Sequence, residues 1–539
     1  MSQQNKPGNL GVRFRPKRLE AAYDALIIGS GMGGLSCAAL LADMGWKVAV
    51  LEQHYTAGGY THSYEIEGYV FDVGVHYIGD MGTRTMARKI MDYMTDSKVR
   101  WAAMDKAYDR YIIGQKSYEV MAGRQEFEQQ LLKQFPEEAQ AITAYMQLLK
   151  QAGQAMSWYT LKKMMGSRAQ RVGRPFLQRK IPEFLFETTA EVLGRLTSNQ
   201  ELLAVLTGQY GDNGLPPGKS AFMIHALIAR HYLYGGYYPE GGSWKIAEAL
   251  LEKIQNAGGA VYTYARVERI LIDNDRVVGV KMQGGHVIAA PVVISSAGVS
   301  NTFRELVEPE IANRFGYIQR LQHVSPSLAH IGLYIGLEGD AEALDLPKQN
   351  LWIYPGTDHD AATQAFLENP EAALPVVYIS FPSRKDPQWS REHPGRSTIE
   401  VVAPAPWKLF AQWEGTVWGK RGADYDKYKA MWGERLLEVV YQHLPQIRGK
   451  IKVFDVSTPL STQWFAGWNQ GELYGLDHDP QRFRQDWLRP ATDIPGLWLT
   501  GQDILSCGVV GAMMSGVMTA VSVSGWRKSI PLLTRILRH

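Results

Sequence analysis

The chain has 539 residues, more than a single hydrophobic core usually holds, so we expect two or three domains. Hydrophobic residues make up 45% and charged residues 21%, a balance typical of globular proteins and not of disordered ones. The formal net charge is only +3, without the strong basic excess of nucleic-acid-binding proteins, so no nucleic-acid partner is expected. The two cysteines, Cys37 and Cys507, allow at most one disulfide, and no Cys/His spacing typical of a metal site occurs.

The first secondary-structure elements of the chain form a strand–turn–helix–strand unit. Tyr23 to Ile28 is a mostly apolar run that ends at a glycine cluster, as a buried strand would. Leu35 to Met44 is rich in alanine and leucine and predicts a helix, and Lys47 to Leu51 predicts a second strand. This order is that of a βαβ unit.

The remaining elements are less regularly spaced. A mostly helical region is predicted over 127–165, with a break at Phe135-Pro136, and further helices over 246–257 and 424–443. Residues 261–280 and 286–295 predict strands of a small antiparallel layer, and 451–456 and 496–499 predict short strands.

The glycine cluster after the first strand has the spacing of a phosphate-binding turn. Gly29, Gly31 and Gly34 give G-x-G-x-x-G between a strand and a helix, where they permit a tight turn, close approach of a pyrophosphate and close helix packing. Glu52 lies 18 residues after Gly34, where a carboxylate accepts hydrogen bonds from a ribose diol. The sequence therefore predicts a Rossmann-type dinucleotide site.

The residues that follow favour FAD over a nicotinamide dinucleotide. Gly58-Gly59 comes soon after Glu52 and would extend the phosphate-binding loop toward a longer molecule. No second strand, glycine turn and helix of this type occurs, so a dedicated nicotinamide domain is not expected. Near the end, a strand stops at Gly501, and Asp503 is placed to bind the ribityl chain or the pyrophosphate.

The segment from Ile504 to Trp526 carries no charge and is long enough to cross a bilayer. Its glycine and serine content and its position directly after Asp503 favour a buried helix instead. Small residues from Gly508 to Ala512 would let the positive N-terminus of this helix approach the isoalloxazine, where it would favour an anionic reduced flavin.

These signals occur early, in the middle and late, so the nucleotide domain must be discontinuous. We expect an α/β fold with a glutathione-reductase-like, Rossmann-type FAD-binding domain and an inserted α+β substrate or cap domain. The expected FAD-binding segments are 22–95, 236–303 and 455–526. The expected substrate domain comprises 96–235 and 304–454, and 1–21 and 527–539 are expected tails.

Several motifs resemble those of the retinol saturases (all-trans-retinol 13,14-reductases), which group with carotenoid isomerases and phytoene desaturases. The resemblance extends from Tyr23 to Gly525. It is carried by Leu51-Glu52-Gln53-His54, Gly58-Gly59, His62, the segment 71–79, the Tyr238-Pro239-Glu240-Gly241-Gly242 motif, Pro480-Gln481-Arg482-Phe483, Leu488-Arg489-Pro490 and the segments 500–503 and 508–512.

The resemblance implies reduction of one carbon–carbon double bond in a conjugated, lipophilic polyene such as a retinoid or carotenoid, beside FAD in an apolar tunnel. A carotenoid desaturase or cis–trans isomerase would use the same flavin site. A flavin-stabilised lipid-binding protein without enzymatic activity is a third alternative. The chain lacks the N-terminal secretory segment of the saturases, which leaves its compartment and substrate open.

The expected site residues follow from these motifs. The FAD-binding set is Gly29, Gly31, Gly33, Gly34, Glu52, Gln53, Gly58, Gly59, Gly74, Val267, Gly501, Asp503, Gly508, Val510, Gly511 and Ala512. The catalytic candidates are His76, Tyr77, His225 and Tyr334. For the histidines at 225 and 231, a packing role stands beside that of a proton donor, and Cys507 is read as a small packing residue.

Two partners besides the substrate are expected. Only one dinucleotide fold is visible, so an external reductase or small electron donor would supply FAD with electrons. Between Trp158 and Pro182 lie seven basic residues among aromatic and aliphatic ones: Lys162, Lys163, Arg168, Arg171, Arg174, Arg179 and Lys180. This pattern suits an anionic membrane surface or, alternatively, a solvated helix face. The expected location is cytoplasmic, with peripheral attachment to the inner face of a membrane as a further possibility.

Overall fold

A parallel six-stranded sheet forms the first layer of the fold. The computed structural model describes residues 7–20 and 22–539, without the side chains of 167–171, 174 and 178. The sheet has the strand order Val12–Arg13, Ala260–Thr263, Val48–Leu51, Ala25–Ile28, Val293–Ser295 and Leu497–Leu499. All neighbouring strands run parallel, which confirms the predicted α/β class.

Three helices cover this sheet: Met32–Asp43, Trp244–Asn256 and Gly508–Ser524. The first and third pack so closely that a Cβ atom at Gly516 would lie 2.6 Å from the carbonyl oxygen of Gly33. This contact explains the small residues of the uncharged segment, which is a helix buried against the sheet. Among the described residues, no helix is long and apolar enough to cross a membrane.

A three-stranded antiparallel sheet adjoins the parallel one. It consists of Val267–Asp273, Arg276–Met282 and Val287–Ala289. The antiparallel layer predicted over 261–280 and 286–295 is therefore only partly present. Ala260–Thr263 and Val293–Ser295 belong to the parallel sheet instead, because their buried residues are covered on both faces.

A seven-stranded mixed sheet forms the second layered unit. Its strand order is Ile451–Ser457, His330–Glu338, Arg396–Pro404, Val377–Ser380, Asn350–Tyr354, Ala107–Ile113 and Lys116–Met121. Its main helices are Arg124–Gln134, Ala139–Met164, Ser167–Lys180, Thr189–Gly194, Gln200–Leu206, Phe222–Tyr232, His359–Glu368 and Ala423–His443. The predicted break at Phe135-Pro136 separates the first two of these helices.

Smaller elements complete the fold. Two-stranded ribbons join Ser63–Ile66 to Tyr69–Asp72 and Trp101–Ala103 to Tyr237–Pro239. The shorter helices are Met86–Met94, Val299–Asn301, Pro309–Arg314, Tyr317–Leu321, Pro382–Lys385, Trp389–Glu392, Pro459–Ala466 and Pro480–Phe483.

The described parts of both expected tails belong to the fold. Val12–Arg13 is the edge strand of the parallel sheet, paired with Ala260–Thr263. Trp526–Arg538 is a helix whose Leu532 and Ile536 are buried in the same core as the sheet. Neither segment predicts a secondary-structure element from its own sequence. Each is stabilised in the fold by the surface on which it packs. The strand Ile451–Ser457 also crosses the predicted domain boundary at residue 454.

Candidate active site

The first strand of the βαβ unit ends in the predicted glycine turn. Gly29 has a φ of 93°, which a glycine adopts without strain. A Cβ at Gly34 would lie 2.2 Å from the carbonyl oxygen of Gly29, so only glycine allows this helix to begin so close to the strand. At Gly31, in contrast, a Cβ would meet no atom within 4 Å, which leaves open space for a ligand to approach the backbone.

The helix Met32–Asp43 begins at this open space. Its N-cap is Gly31, and no side chain accepts a hydrogen bond from its first backbone N–H groups. Uncapped N–H groups and the positive end of the helix dipole bind phosphate. The turn and the helix therefore fit the pyrophosphate of a dinucleotide.

Glu52 lies at the end of the neighbouring strand and joins the two loops. Its Oε2 atom accepts hydrogen bonds from the backbone N–H of Ser30 at 2.8 Å and from the Ser30 hydroxyl at 2.6 Å. Its Oε1 atom accepts one from the backbone N–H of His54 at 2.8 Å. Both lone pairs of Oε2 are then used, and Oε1 has one left, so the carboxylate can accept a further hydrogen bond from a ribose hydroxyl.

The second glycine pair closes over the first turn. A Cβ at Gly59 would lie 2.9 Å from the Cα of Gly31, and the backbone N–H of Gly58 donates to the Ser30 hydroxyl at 3.1 Å. Gln53 is exposed, and its amide lies against Gly467. Val267 is buried in the core that lies below the end of the Glu52 strand.

Asp503 is buried and holds two loops together. Its Oδ2 atom accepts a hydrogen bond from the backbone N–H of Val299 at 2.9 Å, and its Oδ1 atom accepts one from Leu476 at 3.1 Å. Burial raises its pKa, and the nearby Arg482 guanidinium opposes this shift. The structure thus gives Asp503 a loop-positioning role that the sequence did not predict, and its contact with FAD stays a prediction.

Two further residues position this loop. A Cβ at Gly33 would lie 2.6 Å from the Cα of Gly501, so the C-terminal loop packs directly on the first helix. The guanidinium of the buried Arg482 donates to the carbonyl oxygens of Leu476 at 3.0 Å and Gln502 at 2.6 Å. The Pro-Gln-Arg-Phe motif therefore acts through Arg482, as a support for the loop.

The helix Gly508–Ser524 begins at a cavity. Its N-cap Cys507 makes no side-chain cap, and Gly508, with a φ of 80°, has open space around it. Gly511 has no open space around it, because a Cβ there would lie 2.3 Å from the hydroxyl of Ser506. Val510 lines the cavity and Ala512 lies in the following turn of the helix.

This inner cavity has a volume of about 340 Å³, within the range of ligand sites. Its wall is largely apolar and aromatic, and includes Tyr232, Leu328, Trp352 and Tyr378. The segment from Val73 to Ile78 forms another part of the wall, with the expected FAD contact Gly74. A flavin held by the glycine loops and an apolar substrate would meet in this space.

His76 and Tyr77 both line the inner cavity, and their place at the flavin stays a prediction. His76 Nδ1 lies 2.9 Å from Glu400 Oε2. Burial lowers the pKa of His76 to about 3 and raises that of Glu400 well above its usual value, which favours an uncharged pair. The Tyr77 hydroxyl donates to Asp109 at 2.9 Å, and its ring stacks on Tyr232 with centroids 4.3 Å apart.

The other two catalytic candidates lie outside the described lining of the cavity. His225 is buried, and its Nε2 atom is 3.1 Å from the Tyr145 hydroxyl, an arrangement typical of a packing histidine. Tyr334 packs edge-on against Phe71, and its hydroxyl donates to the carbonyl oxygen of Val73 at 3.5 Å, behind the cavity wall to which Val73 belongs. Both residues are catalytic candidates because they lie near aromatic stretches of the sequence. The sequence alone cannot show whether such a stretch faces a site.

Three ionisable groups at the cavity were missed by the sequence analysis. Asp212 lines it directly, while the buried Lys385 donates to the carbonyl oxygen of His76 at 3.0 Å and Glu400 binds His76. Burial lowers the pKa of Lys385 to about 7. The Gly211 to Gly214 stretch, with Asp212 and Asn213 between two glycines, is a signal that could have indicated Asp212.

A second, outer cavity of about 570 Å³ adjoins the inner one. The two spaces share a wall that is half apolar and half polar, formed by Met156, Leu227, Met514, Asp80, Thr160 and His231. Tyr234 and Trp526, both exposed, also line the outer cavity. The two cavities together lead from the protein surface to the helix that begins at Gly508.

A parallel sheet whose strand ends carry a glycine turn, a carboxylate at the position expected for a ribose contact and two uncapped helices is the framework of a dinucleotide-dependent oxidoreductase. The sequence model of the family described as "Flavin containing amine oxidoreductase" matches residues 32–524. The chain therefore belongs to this family, and it is an FAD-dependent oxidoreductase.

Individual relatives agree with this assignment. All-trans-retinol 13,14-reductase of Macaca fascicularis is 37% identical over 529 residues, covering 95% of this chain and 87% of that protein. Chloroplastic prolycopene isomerase of Daucus carota is 24% identical, covering 96% of this chain and 82% of that protein. The solved structure of putrescine oxidase bound to putrescine has a TM-score of 0.60 at 16% identity, covering 93% and 99% of the chains, and shows the fold alone.

Proposed function

We propose that this protein adds two hydrogens across one carbon–carbon double bond of a lipophilic polyene, such as a retinoid or carotenoid. The observation that carries the proposal is the apolar, aromatic cavity that ends at the uncapped helix N-terminus at Gly508. The all-trans-retinol 13,14-reductases at 34–37% identity support the same chemistry.

The chain's own residues provide binding, orientation and exclusion of water. The turn from Gly29 to Gly34 and the carboxylate of Glu52 would hold the pyrophosphate and ribose of FAD, which supplies hydride-transfer chemistry when bound. The aromatic wall around Tyr232 and Trp352 excludes water and aligns a flat, conjugated chain. The His76–Glu400 pair is uncharged, so it avoids the loss of hydration that a charge would suffer when an apolar ligand binds.

The test is the change in mass of a polyene incubated anaerobically with dithionite-reduced protein. We expect all-trans-retinol or a carotenoid to gain two hydrogens. The same incubation with free reduced FAD provides the control. No mass change with any tested retinoid or carotenoid would contradict the proposal.

Cis–trans isomerisation is a second candidate function. It is favoured by the similarity to prolycopene isomerase over 96% of the chain. The same incubation separates the alternatives, because an isomer has altered retention without a change in mass. A loss of two hydrogens with the oxidised protein would instead indicate a desaturase.

We further propose that a separate reductase or small donor supplies the electrons. The described residues contain one parallel nucleotide-binding sheet, and its glycine turn fits FAD. The apolar inner cavity offers a nicotinamide pyrophosphate poor solvation. In anaerobic stopped-flow mixing we expect NADH and NADPH to bleach the flavin slowly, below about 1 s⁻¹. Saturable bleaching at faster rates would contradict this proposal.

A membrane surface is the proposed source of the substrate. The helix Trp526–Arg538 buries one face, while Trp526, Ile530 and Leu537 form a second stripe that is 52%, 58% and 55% exposed. Trp526 lines the outer cavity, so this stripe lies at its opening. Exposed aromatic and aliphatic residues beside basic ones are typical of interfacial helices.

Two of the basic side chains between Trp158 and Pro182 have partners within the protein. Lys162 pairs with Asp486 at 2.6 Å, and the buried Lys163 donates to the carbonyl oxygen of Leu488 at 2.6 Å. Arg179 and Lys180 are exposed. The side chains of Arg168, Arg171 and Arg174 lie outside the described residues.

Vesicle sedimentation tests the proposed membrane surface. We expect Ile530→Asp to weaken binding to anionic phosphatidylserine vesicles, because it places a charge in the exposed apolar stripe. Val417→Asp is a matched control, since Val417 is 50% exposed and lines neither cavity. Equal binding of both variants and the unmodified protein would show that the stripe does not contact the membrane.

A further inference from the structure

A carboxyl group without a fixed partner lies in the wall of the inner cavity. Asp212 lines this cavity, and its Oδ2 atom is buried without a hydrogen-bond partner among the described residues. A buried polar atom of this kind is uncommon, because loss of hydration is normally compensated by a hydrogen bond. One physical reason for such an unpaired atom is that its group exchanges a proton with a ligand.

The turn that carries Asp212 is attached to the flavin side of the cavity. The thiol of Cys507 donates to the Asp212 carbonyl oxygen at 3.3 Å, and Cys507 is the N-cap of the helix that begins at Gly508. The hydroxyl of Tyr474 donates to the Gly211 carbonyl oxygen at 2.9 Å. These two bonds hold the main chain of the turn, and Asp212 lines the same cavity as the residues Cys507 to Gly511, where the flavin ring and the substrate would meet.

We propose that Asp212 is the general acid that donates a proton to one carbon of the double bond. This inference rests on the proposed saturase function. Saturation adds a hydride, with its two electrons, to one carbon and a proton to the neighbouring carbon. FAD, when bound in its reduced form, would supply the hydride and would be left oxidised. The O–H bond of the Asp212 carboxylic acid breaks as the C–H bond forms, and the resulting carboxylate regains its proton from water.

The surroundings of Asp212 keep it in the acid form. Burial, and next the proximity of the buried Asp109 carboxyl, raise its pKa well above the usual value. Two other groups at the cavity are less suitable donors. Burial raises the pKa of Cys507 to about 12, and it lowers that of His76 to about 3, so the imidazole is neutral and its one N–H is a very weak acid.

The test compares Asp212→Asn with a matched carboxyl variant, Asp477→Asn. Asp477 also has a buried oxygen without a described partner and a pKa raised to about 7 by burial, but it lines neither cavity. Each FAD-loaded protein is reduced with dithionite and mixed anaerobically with the polyene that the unmodified protein saturates. Reoxidation of the flavin by ferricyanide, which needs no proton transfer to carbon, is measured in parallel.

We expect Asp212→Asn to slow reoxidation by the polyene about 100-fold or more, as for loss of a general acid, and to leave reoxidation by ferricyanide unchanged. Asp477→Asn should match the unmodified protein with both acceptors. An infrared difference spectrum of polyene binding should show a perturbed carboxylic-acid carbonyl band that Asp212→Asn lacks.

Two results would overturn the assignment of Asp212. One is polyene reduction by Asp212→Asn at the unmodified rate, and the other is equal slowing with polyene and ferricyanide, which would indicate a structural role. If the unmodified protein itself reduces no polyene, the proposed function fails first and the general-acid assignment falls with it.

Discussion

The nucleotide-binding loops and the cavity wall use different physical means to form a site. In the loops, main-chain atoms pack directly against other main-chain atoms. A Cβ at Gly34 or Gly33 would lie under 3 Å from them. In the wall, buried ionisable side chains with shifted pKa values face each other, as His76 and Glu400 do. The first region is constrained by excluded volume and the second by desolvation.

This difference predicts how each region responds to substitution. A clash between a new Cβ atom and main-chain atoms cannot be relieved by a side-chain rotation, so a substitution that creates one has a large, all-or-none effect. A buried ionisable group can change its protonation state instead, so its effect varies with pH. The following predictions test the comparison, in order of expected effect.

The largest effect is expected at the glycine turn. Gly34→Ala should abolish FAD binding and lower the thermal stability of the FAD-free protein, because the new Cβ would lie 2.2 Å from the Gly29 carbonyl oxygen. Gly31→Ala should weaken FAD binding while the FAD-free stability stays unchanged, because its Cβ meets no protein atom within 4 Å. Flavin content and thermal unfolding with and without FAD measure both.

Gly194→Ala serves as the control for these substitutions. It also has open space for a Cβ and lies at the end of the helix Thr189–Gly194, in the other layered unit. It should leave both FAD binding and stability unaffected. Equal behaviour of the Gly34 and Gly31 variants in the FAD-free protein would refute the steric argument.

A smaller loss of affinity is expected at Glu52. Glu52→Gln keeps the shape but removes the charge that would accept a hydrogen bond from the ribose, and a hydrogen bond to a charged group contributes about 1.5–3 kcal/mol. FAD should therefore bind roughly 10-fold to 150-fold more weakly in a titration of the FAD-free protein. The exposed Glu65, changed to Gln, is the control. Unchanged affinity at Glu52 would exclude its ribose role.

The cavity wall should show its effect in the pH dependence of stability. Burial lowers the Lys385 pKa from 10.5 to about 7, so between these values the unfolded chain binds a proton that the folded protein does not. The free energy of unfolding therefore rises with pH across this window. Lys385→Met should remove that contribution, so its curve from denaturant titrations should rise less steeply. Parallel curves for the two proteins would contradict the assigned shift.

The smallest effect is expected at His225. His225→Gln should change polyene reduction little, because this side chain bonds to Tyr145 and lies outside the cavity lining, and should cost about 0.5–1.5 kcal/mol of stability. His76→Gln should reduce the rate more, since His76 lines the cavity. A larger loss of rate at His225 than at His76 would reverse our assignment of the two histidines.

The sequence by itself determined the nucleotide half of the site. Glycine spacing, an alternation of strand and helix and one carboxylate at a fixed distance are local features, and steric limits on the backbone translate them directly into a turn. Glu52, the turn from Gly29 to Gly34 and the uncharged helix after Asp503 were therefore predictable.

Only the tertiary structure decided the cavity wall and the ends of the chain. Asp212, Glu400 and Lys385 come from separate elements, and no local pattern shows which side of a strand or turn faces a cavity. Likewise, His225 and His76 have similar aromatic surroundings in the sequence, yet only His76 reaches the site. Burial arises from contacts between distant segments, so the pKa shifts, the position of Asp212 and the docking of the two expected tails depend on the complete fold.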